Sequence, residues 1–161
     1  MSKHKFNNIL LTGAAGALGE QLRKTLSQNC NLLKITDKEK LLKKFENEVV
    51  IQADLSSLEA MIDLTKNIDC VVHMGGQSIE GSWDNVLNSN IIGMYNLYEA
   101  CRKNKIKRVI WASSVHTVGF YPRSEVIDSK AMPRPDSNYG LSKVFGAVSY
   151  THLRAHETLT D

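Results

Sequence analysis

Short apolar runs alternate along the chain with longer stretches that repeat at helical spacing. The runs at 9–12, 32–36, 49–51, 70–74 and 108–113 are β-prone and apolar enough to be covered on both faces, which predicts five strands of a parallel sheet. Between them, Leu18, Leu22 and Leu26 recur every four residues on one helical face, and residues 86–101 carry apolar side chains at helical spacing. Ser56 and Glu59 form a capping box ahead of Met61 and Ile62. This alternation predicts an α/β fold, a doubly wound parallel sheet. Right-handed crossovers bring the C-terminal ends of all strands to one edge, where ligands of such sheets bind. The glycine-rich and polar residues gather at those ends: 13–19, Asp37, Asp54, 75–78 and 113–117.

Composition narrows the picture. A chain of 161 residues can bury one core, so one domain is expected. Its net charge of +3 comes from 20 basic and 17 acidic residues scattered without a block, and nucleic acid is not an expected partner. The densest charged stretch, 38–48, mixes both signs around Leu41, Leu42 and Phe45, as a solvated amphipathic turn or short helix does. Cys30, Cys70 and Cys101 lack any C-x-x-C spacing and read as small buried hydrophobes. The apolar run at 9–11 is too short for a signal peptide or a membrane span, so no membrane partner and a cytoplasmic location are expected. His152 and His156 stand at i, i+4 beside Glu157, but no third ligand is near and no metal site is expected.

Residues 10–20 read as a strand, a glycine-rich turn and a helix start. Gly13 permits the tight turn, Gly16 lets backbone approach a pyrophosphate, and Gly19 lets the helix pack close on the strand. The unpaired N–H groups of the first helical turn, around Ala17 and Leu18, then face the phosphates. Asp37 ends the second strand, 18 residues beyond Gly19. A carboxylate there accepts both hydroxyls of an adenosine ribose and repels a 2′-phosphate, which favours NAD over NADP, while Lys38 and Lys40 close by soften that preference. Asp54 and Leu55, after the third strand, are placed to hold the adenine, although Asp54 also suits a helix N-terminus.

Tyr139 and Lys143 stand four residues apart, on one face of a helix. A phenol is a poor base at neutral pH, and a neighbouring ammonium favours its phenolate. Such a tyrosine takes a hydroxyl proton as hydride leaves the same carbon.

The stretches at 12–19, 71–76, 90–100 and 139–143 resemble the NAD-dependent epimerase/dehydratase family, the extended short-chain dehydrogenases, over residues 8–146. Residues 75–78, Trp83, 113–122 and 134–139 are similar to those of its members that oxidise hexuronic acids. The resemblance implies a Rossmann domain that binds NAD, and oxidation of galacturonate or glucuronate to an aldonolactone. It implies that Tyr139, Lys143 and Ser114 are catalytic, that Ser78, Ser114 and His116 touch the sugar, and that Gly75 and Asn90 join the cofactor site. Each has a plainer role available: Ser114 could end the fifth strand, His116 could pack in a loop, and Asn90 could bond helix backbone. Val115 departs from the family, which places a polar residue there, and valine forms no side-chain hydrogen bond.

Members of this family run to about twice this length, with a cofactor domain and a substrate domain. Residues 1–147 are therefore expected to be a truncated NAD-binding domain whose substrate domain is missing, inactive as it stands; the full form is expected to be a homo-oligomer. Residues 148–161 resemble the translation of a sequencing adapter, and a non-native tail is expected there. Two other readings remain open at this point: a nucleotide-sugar epimerase or dehydratase, and a non-catalytic dinucleotide sensor.

Overall fold

The structure, a computed structural model, describes residues 6–157, with side chains described as far as residue 149. The strands β1 (Asn8–Thr12), β2 (Leu32–Asp37), β3 (Glu48–Gln52), β4 (Cys70–His73) and β5 (Arg108–Trp111) form one parallel sheet in the order β3-β2-β1-β4-β5. The order reverses between β1 and β4, which pair directly from Ile9↔Cys70 to Thr12↔His73.

Two apolar layers cover the sheet. On one face, Leu22 and Leu26 of α1 (Ala17–Ser27) pack toward Ile9, Leu11, Leu33, Ile35 and Val72. On the other, Met61 and Leu64 of α2 (Leu58–Thr65) and Leu97, Ala100 and Cys101 of α4 (Gly93–Lys103) close over Leu10 and Val71. The short α3 (Trp83–Val86) runs into a π turn, Leu87–Ile92, that leads into α4. A 3₁₀ turn, Val115–Val118, follows β5, and α5 (Asn138–Glu157) packs against α4, where Tyr98 Oη donates to Gly146 O at 3.1 Å.

All five expected strands form, but β3 and β5 are not covered on both faces: Val49, Ile51 and Ile110 are exposed. Both strands lie at the sheet's edges, where the apolar layers reach only Val50 of β3 and Val109 of β5. The cap of α2 is Ser57, whose Oγ accepts from Ala60 N–H at 3.2 Å; Ser56 is instead held in a turn by the Asp54 carboxylate at 2.8 Å. Leu18 leaves the core face of α1 and is 65% exposed, because it stands on the helix's first turn, beyond the sheet edge. The charged stretch forms turns rather than a helix, and its last member is not solvated. Glu48 is buried and pairs bidentately with buried Arg23 of α1, at 2.8 and 2.7 Å. The three cysteines are free and buried, and burial pushes the thiols of Cys30 and Cys101 up to about 11 and about 12.

The expected tail at 148–161 falls largely outside the described side chains, and so do His152, His156 and Glu157. No described helix is long and apolar enough to cross a membrane.

Candidate active site

The loops that follow β1 and β4 meet at the point where the strand order reverses. Gly13 has φ +69°, and a Cβ on it would lie 2.4 Å from Gly75 N, so these loops approach closely only without a side chain there. A Cβ on Gly19 would lie 2.1 Å from Gly13 O; that glycine lets α1 sit against the loop. At Gly16 the nearest atom would be 3.3 Å away, and Gly16 caps α1 with no side-chain hydrogen bond. The first-turn amides of Ala17, Leu18 and Gly19, which lack partners within a helix, are thus left for an anion.

A cleft of about 820 Å³ opens here, and its walls include Gly13, Gly16, Ala17, Leu18, Gly19, Asp37, Asp54, Leu55, Gly75 and Ser78. Asp37 accepts Ala15 N–H at 3.0 Å on Oδ2 and Glu39 N–H at 3.2 Å on Oδ1, which fixes its carboxylate and leaves each oxygen further acceptor capacity. Asp54 lines the cleft and also holds the turn before α2, so both of its expected roles are present together. Hydrogen bonds from the Ser56 backbone and side chain keep its carboxyl below the usual range. A glycine cradle, an uncapped helix N-terminus and a carboxylate at the end of β2 together suit a dinucleotide: anion donors at one end, a diol acceptor at the other.

Tyr139, Lys143, Ser114, His116 and Asn90 are not themselves walls of that cleft; they group around α5 and are joined to the cleft by Asn90, which bonds both Gln77 of the cleft wall and Ser142 of α5. Ser137 Oγ accepts Gly140 N–H at 3.0 Å and so caps α5, while Glu80 from the loop after β4 accepts Tyr139 N–H at 2.8 Å. Tyr139 and Lys143 are both buried. Lys143 Nζ donates to Ala112 O at 3.0 Å and lies 5.5 Å from the centre of the Tyr139 ring and 5.2 Å from that of Trp111. Desolvation lowers its pKa. His73, fully buried at the end of β4, is held neutral, with its pKa pushed down to about 3 by desolvation and then by the Lys143 charge; its Nδ1 is 2.5 Å from Thr12 Oγ1.

Ser114 takes the plainer role without losing the other: its Oγ accepts His116 N–H at 3.2 Å at the start of the 3₁₀ turn, and its own O–H remains a donor. His116 is half-exposed, with its ring edge-on to Tyr139 at 5.6 Å. Val115 is 80% exposed. Asn90 bonds loop backbone and a serine of α5 rather than helix backbone. Its Oδ1 accepts Gln77 N–H (2.7 Å) and Ser89 O–H (3.2 Å), and its Nδ2 donates to Gln77 O and Ser142 Oγ (both 3.0 Å), so the buried amide is fully used in tying the loop after β4 to α5. Glu80, Ser142 and Asp136 carried no pattern of their own in the sequence; only the resemblance, at 134–139 and 139–143, touched Asp136 and Ser142.

The sequence profile of the NAD dependent epimerase/dehydratase family matches residues 9–159. The chain belongs to that family. Among curated relatives, the uronate dehydrogenase of Pseudomonas putida is 44% identical over 147 residues, covering 91% of this chain and 55% of its own length. Among epimerase/dehydratase structures, a mutant uronate dehydrogenase from Agrobacterium tumefaciens complexed with NAD matches with a TM-score of 0.86 at 39% identity, covering 89% of this chain and 54% of that one. Glucuronic acid dehydrogenase from Chromohalobacter salexigens matches with a TM-score of 0.86 at 43% identity, over 91% and 56%. The chain thus spans a little over half the length of these relatives.

Proposed function

We propose that this chain is the cofactor-binding part of an NAD-dependent dehydrogenase that oxidises a hexuronic acid, galacturonate or glucuronate, to its aldonolactone. The main support is the pairing of Tyr139 and Lys143 one helical turn apart, with the ammonium anchored on Ala112 O and set against the Tyr139 ring, beside a cleft suited to a dinucleotide. The likeness to uronate and glucuronic acid dehydrogenases selects the substrate class.

In this reading the first-turn amides of Ala17, Leu18 and Gly19 bind the pyrophosphate, Asp37 the adenosine ribose, and Asp54 and Leu55 flank the adenine. Gly13, Gly16 and Gly75 give the backbone room to approach. Asn90 contributes by fixing the Gly76–Gln77 backbone and α5. Bound NAD⁺ supplies the hydride acceptor. Tyr139 Oη takes the proton of the anomeric hydroxyl, and the buried charge of Lys143, nowhere neutralised by a carboxylate in its described bonds, favours negative charge on that oxygen. Ser114 O–H, Ser78 at the cleft rim and His116 orient the sugar; Val115 adds no hydrogen bond and leaves that work to Ser114.

Residues 1–147 are then the NAD-binding domain, and the substrate domain lies outside this chain. Self-association of the extended enzyme would use the exposed apolar residues Ile92, Tyr95 and Leu141 around α4 and α5. In a chain extended to its relatives' length, Tyr139→Phe should lower turnover by about 10²–10⁴-fold with little change in NAD affinity. A variant that kept most of its turnover would remove Tyr139 from the chemistry.

A further inference from the structure

His116 and Asp136 meet where the 3₁₀ turn after β5 packs on the start of α5. His116 Nδ1 is 2.9 Å from both oxygens of the Asp136 carboxylate. The imidazole stands edge-on to the Tyr139 ring, with centroids 5.6 Å apart and planes at 74°. Of the charged and titratable groups around it, Asp136 lies against Nδ1, Tyr139 lies beside the ring, and Lys143 stands over the Tyr139 ring.

The carboxylate is built into its place. Ser137 Oγ–H donates to Asp136 Oδ1 at 2.9 Å, and Asp136 precedes the cap of a long helix, whose positive end favours an anion. A Cβ at Gly119 would come 1.9 Å from Asp136 Oδ2, so a side chain there would evict the carboxylate. Arg134 N–H to Thr117 O at 2.9 Å and Phe120 N–H to Arg134 O at 3.0 Å fasten the two segments together. The His116 ring holds the Asp136 carboxyl below its usual range, and Ser137 adds to that.

An ionised carboxylate only accepts hydrogen bonds, so the ring nitrogen that faces it carries a proton. In the neutral imidazole the other nitrogen, Nε2, then has a free lone pair and points away from Asp136. We propose that Asp136 is a positioning residue that locks His116 in its Nδ1–H tautomer and so presents Nε2, beside Tyr139, as the acceptor for a second hydroxyl of the substrate. The substrate half of this rests on the dehydrogenase reading; the tautomer lock does not. An acceptor next to Tyr139 restricts which hydroxyl of a polyol faces the phenol, because a neighbouring hydroxyl must reach Nε2 at the same time.

The test is long-range ¹H–¹⁵N correlation on the 161-residue chain labelled with ¹⁵N-histidine, at a pH where the imidazole is neutral, with His116 assigned by its loss in His116→Gln. The expected spectrum has a protonated Nδ1 and an unprotonated Nε2, and Asp136→Ala shifts the population toward Nε2–H. An Nε2–H majority in the unmutated chain overturns the proposal even if the variant fails to fold, and so does a tautomer ratio unchanged by Asp136→Ala. In a chain extended to its relatives' length, Asp136→Ala should raise KM for uronate about tenfold with a smaller change in kcat. A loss confined to kcat would remove Nε2 from substrate binding. A locked tautomer in an enzyme that does not oxidise uronates would refute the dehydrogenase reading and leave the lock standing.

Discussion

Gly16 and Gly19 lie three residues apart on the same loop and differ in what a methyl group would meet. At Gly19 it would collide with Gly13 O at 2.1 Å, where backbone must move; at Gly16 it would touch the same oxygen at 3.3 Å and otherwise face the cleft. Gly19→Ala should therefore lower stability by about 1–3 kcal/mol, whereas Gly16→Ala should keep stability within about 1 kcal/mol and weaken NAD binding. Thermal unfolding and NAD titration of both variants separate the two; equal losses of stability would contradict this division of labour. Asp37 makes a second prediction at this scale. Its carboxylate, held by the amides of Ala15 and Glu39, should make NAD⁺ bind at least about tenfold tighter than NADP⁺, by repelling the 2′-phosphate. Equal affinities would show that Lys38 and Lys40 govern the site instead.

The strands were legible because a buried parallel strand leaves a continuous apolar run, and all five runs form strands. What a run does not reveal is its place in the sheet, so the exposure of Val49 and Ile110 on edge strands went unread. The π turn at 87–92 was equally invisible, since Leu87 to Ile92 keeps helical spacing and no local side chain marks the extra residue that an i→i+5 turn encloses. The Arg23–Glu48 pair spans 25 residues, and a stretch of mixed charge gives no sign that its last carboxylate is buried. Glu48 also accepts the backbone N–H groups of Lys44 and Phe45, so it ties α1, the 38–47 loop and β3 together. Glu48→Ala should cost about 3–5 kcal/mol by taking from the buried guanidinium its bidentate, fully buried partner and leaving only the partly exposed Glu20 carboxylate, 3.0 Å from Nη1, as its charged partner. Burial raises the Glu48 carboxyl, but the Arg23 contact and the two backbone donors outweigh it, and the net direction is down. Its contribution is therefore complete above the unfolded value of about 4.3 and is lost as pH falls through the lower folded value. Denaturant midpoints measured downward from neutral pH should fall less steeply in Glu48→Ala than in the parent; identical slopes would mean that this carboxylate does not link folding to acid.

For the molecule as a whole, topology explains why the site could be listed from sequence but not assembled from it. Residues at the C-terminal ends of parallel strands share one sheet edge whatever else happens, and so Gly13, Asp37, Asp54, Gly75 and Ser78 were bound to meet around one cleft. The contacts that join this cleft to the Tyr139–Lys143 group come from residues far apart in the chain: Glu80 to Tyr139 across 59 positions, and Asn90 to Ser142 across 52. No spacing rule reaches that far. In the proposed reading, cleft and helix together serve one hydride transfer from a hexuronic acid. The decisive measurement follows NADH formation when a chain extended to its relatives' length meets NAD⁺ with galacturonate, glucuronate or a nucleotide sugar. Reduction of NAD⁺ to NADH by a uronate, abolished in Lys143→Ala, is the expected result; no NADH with either uronate, together with conversion of a nucleotide sugar seen by product analysis, would contradict it.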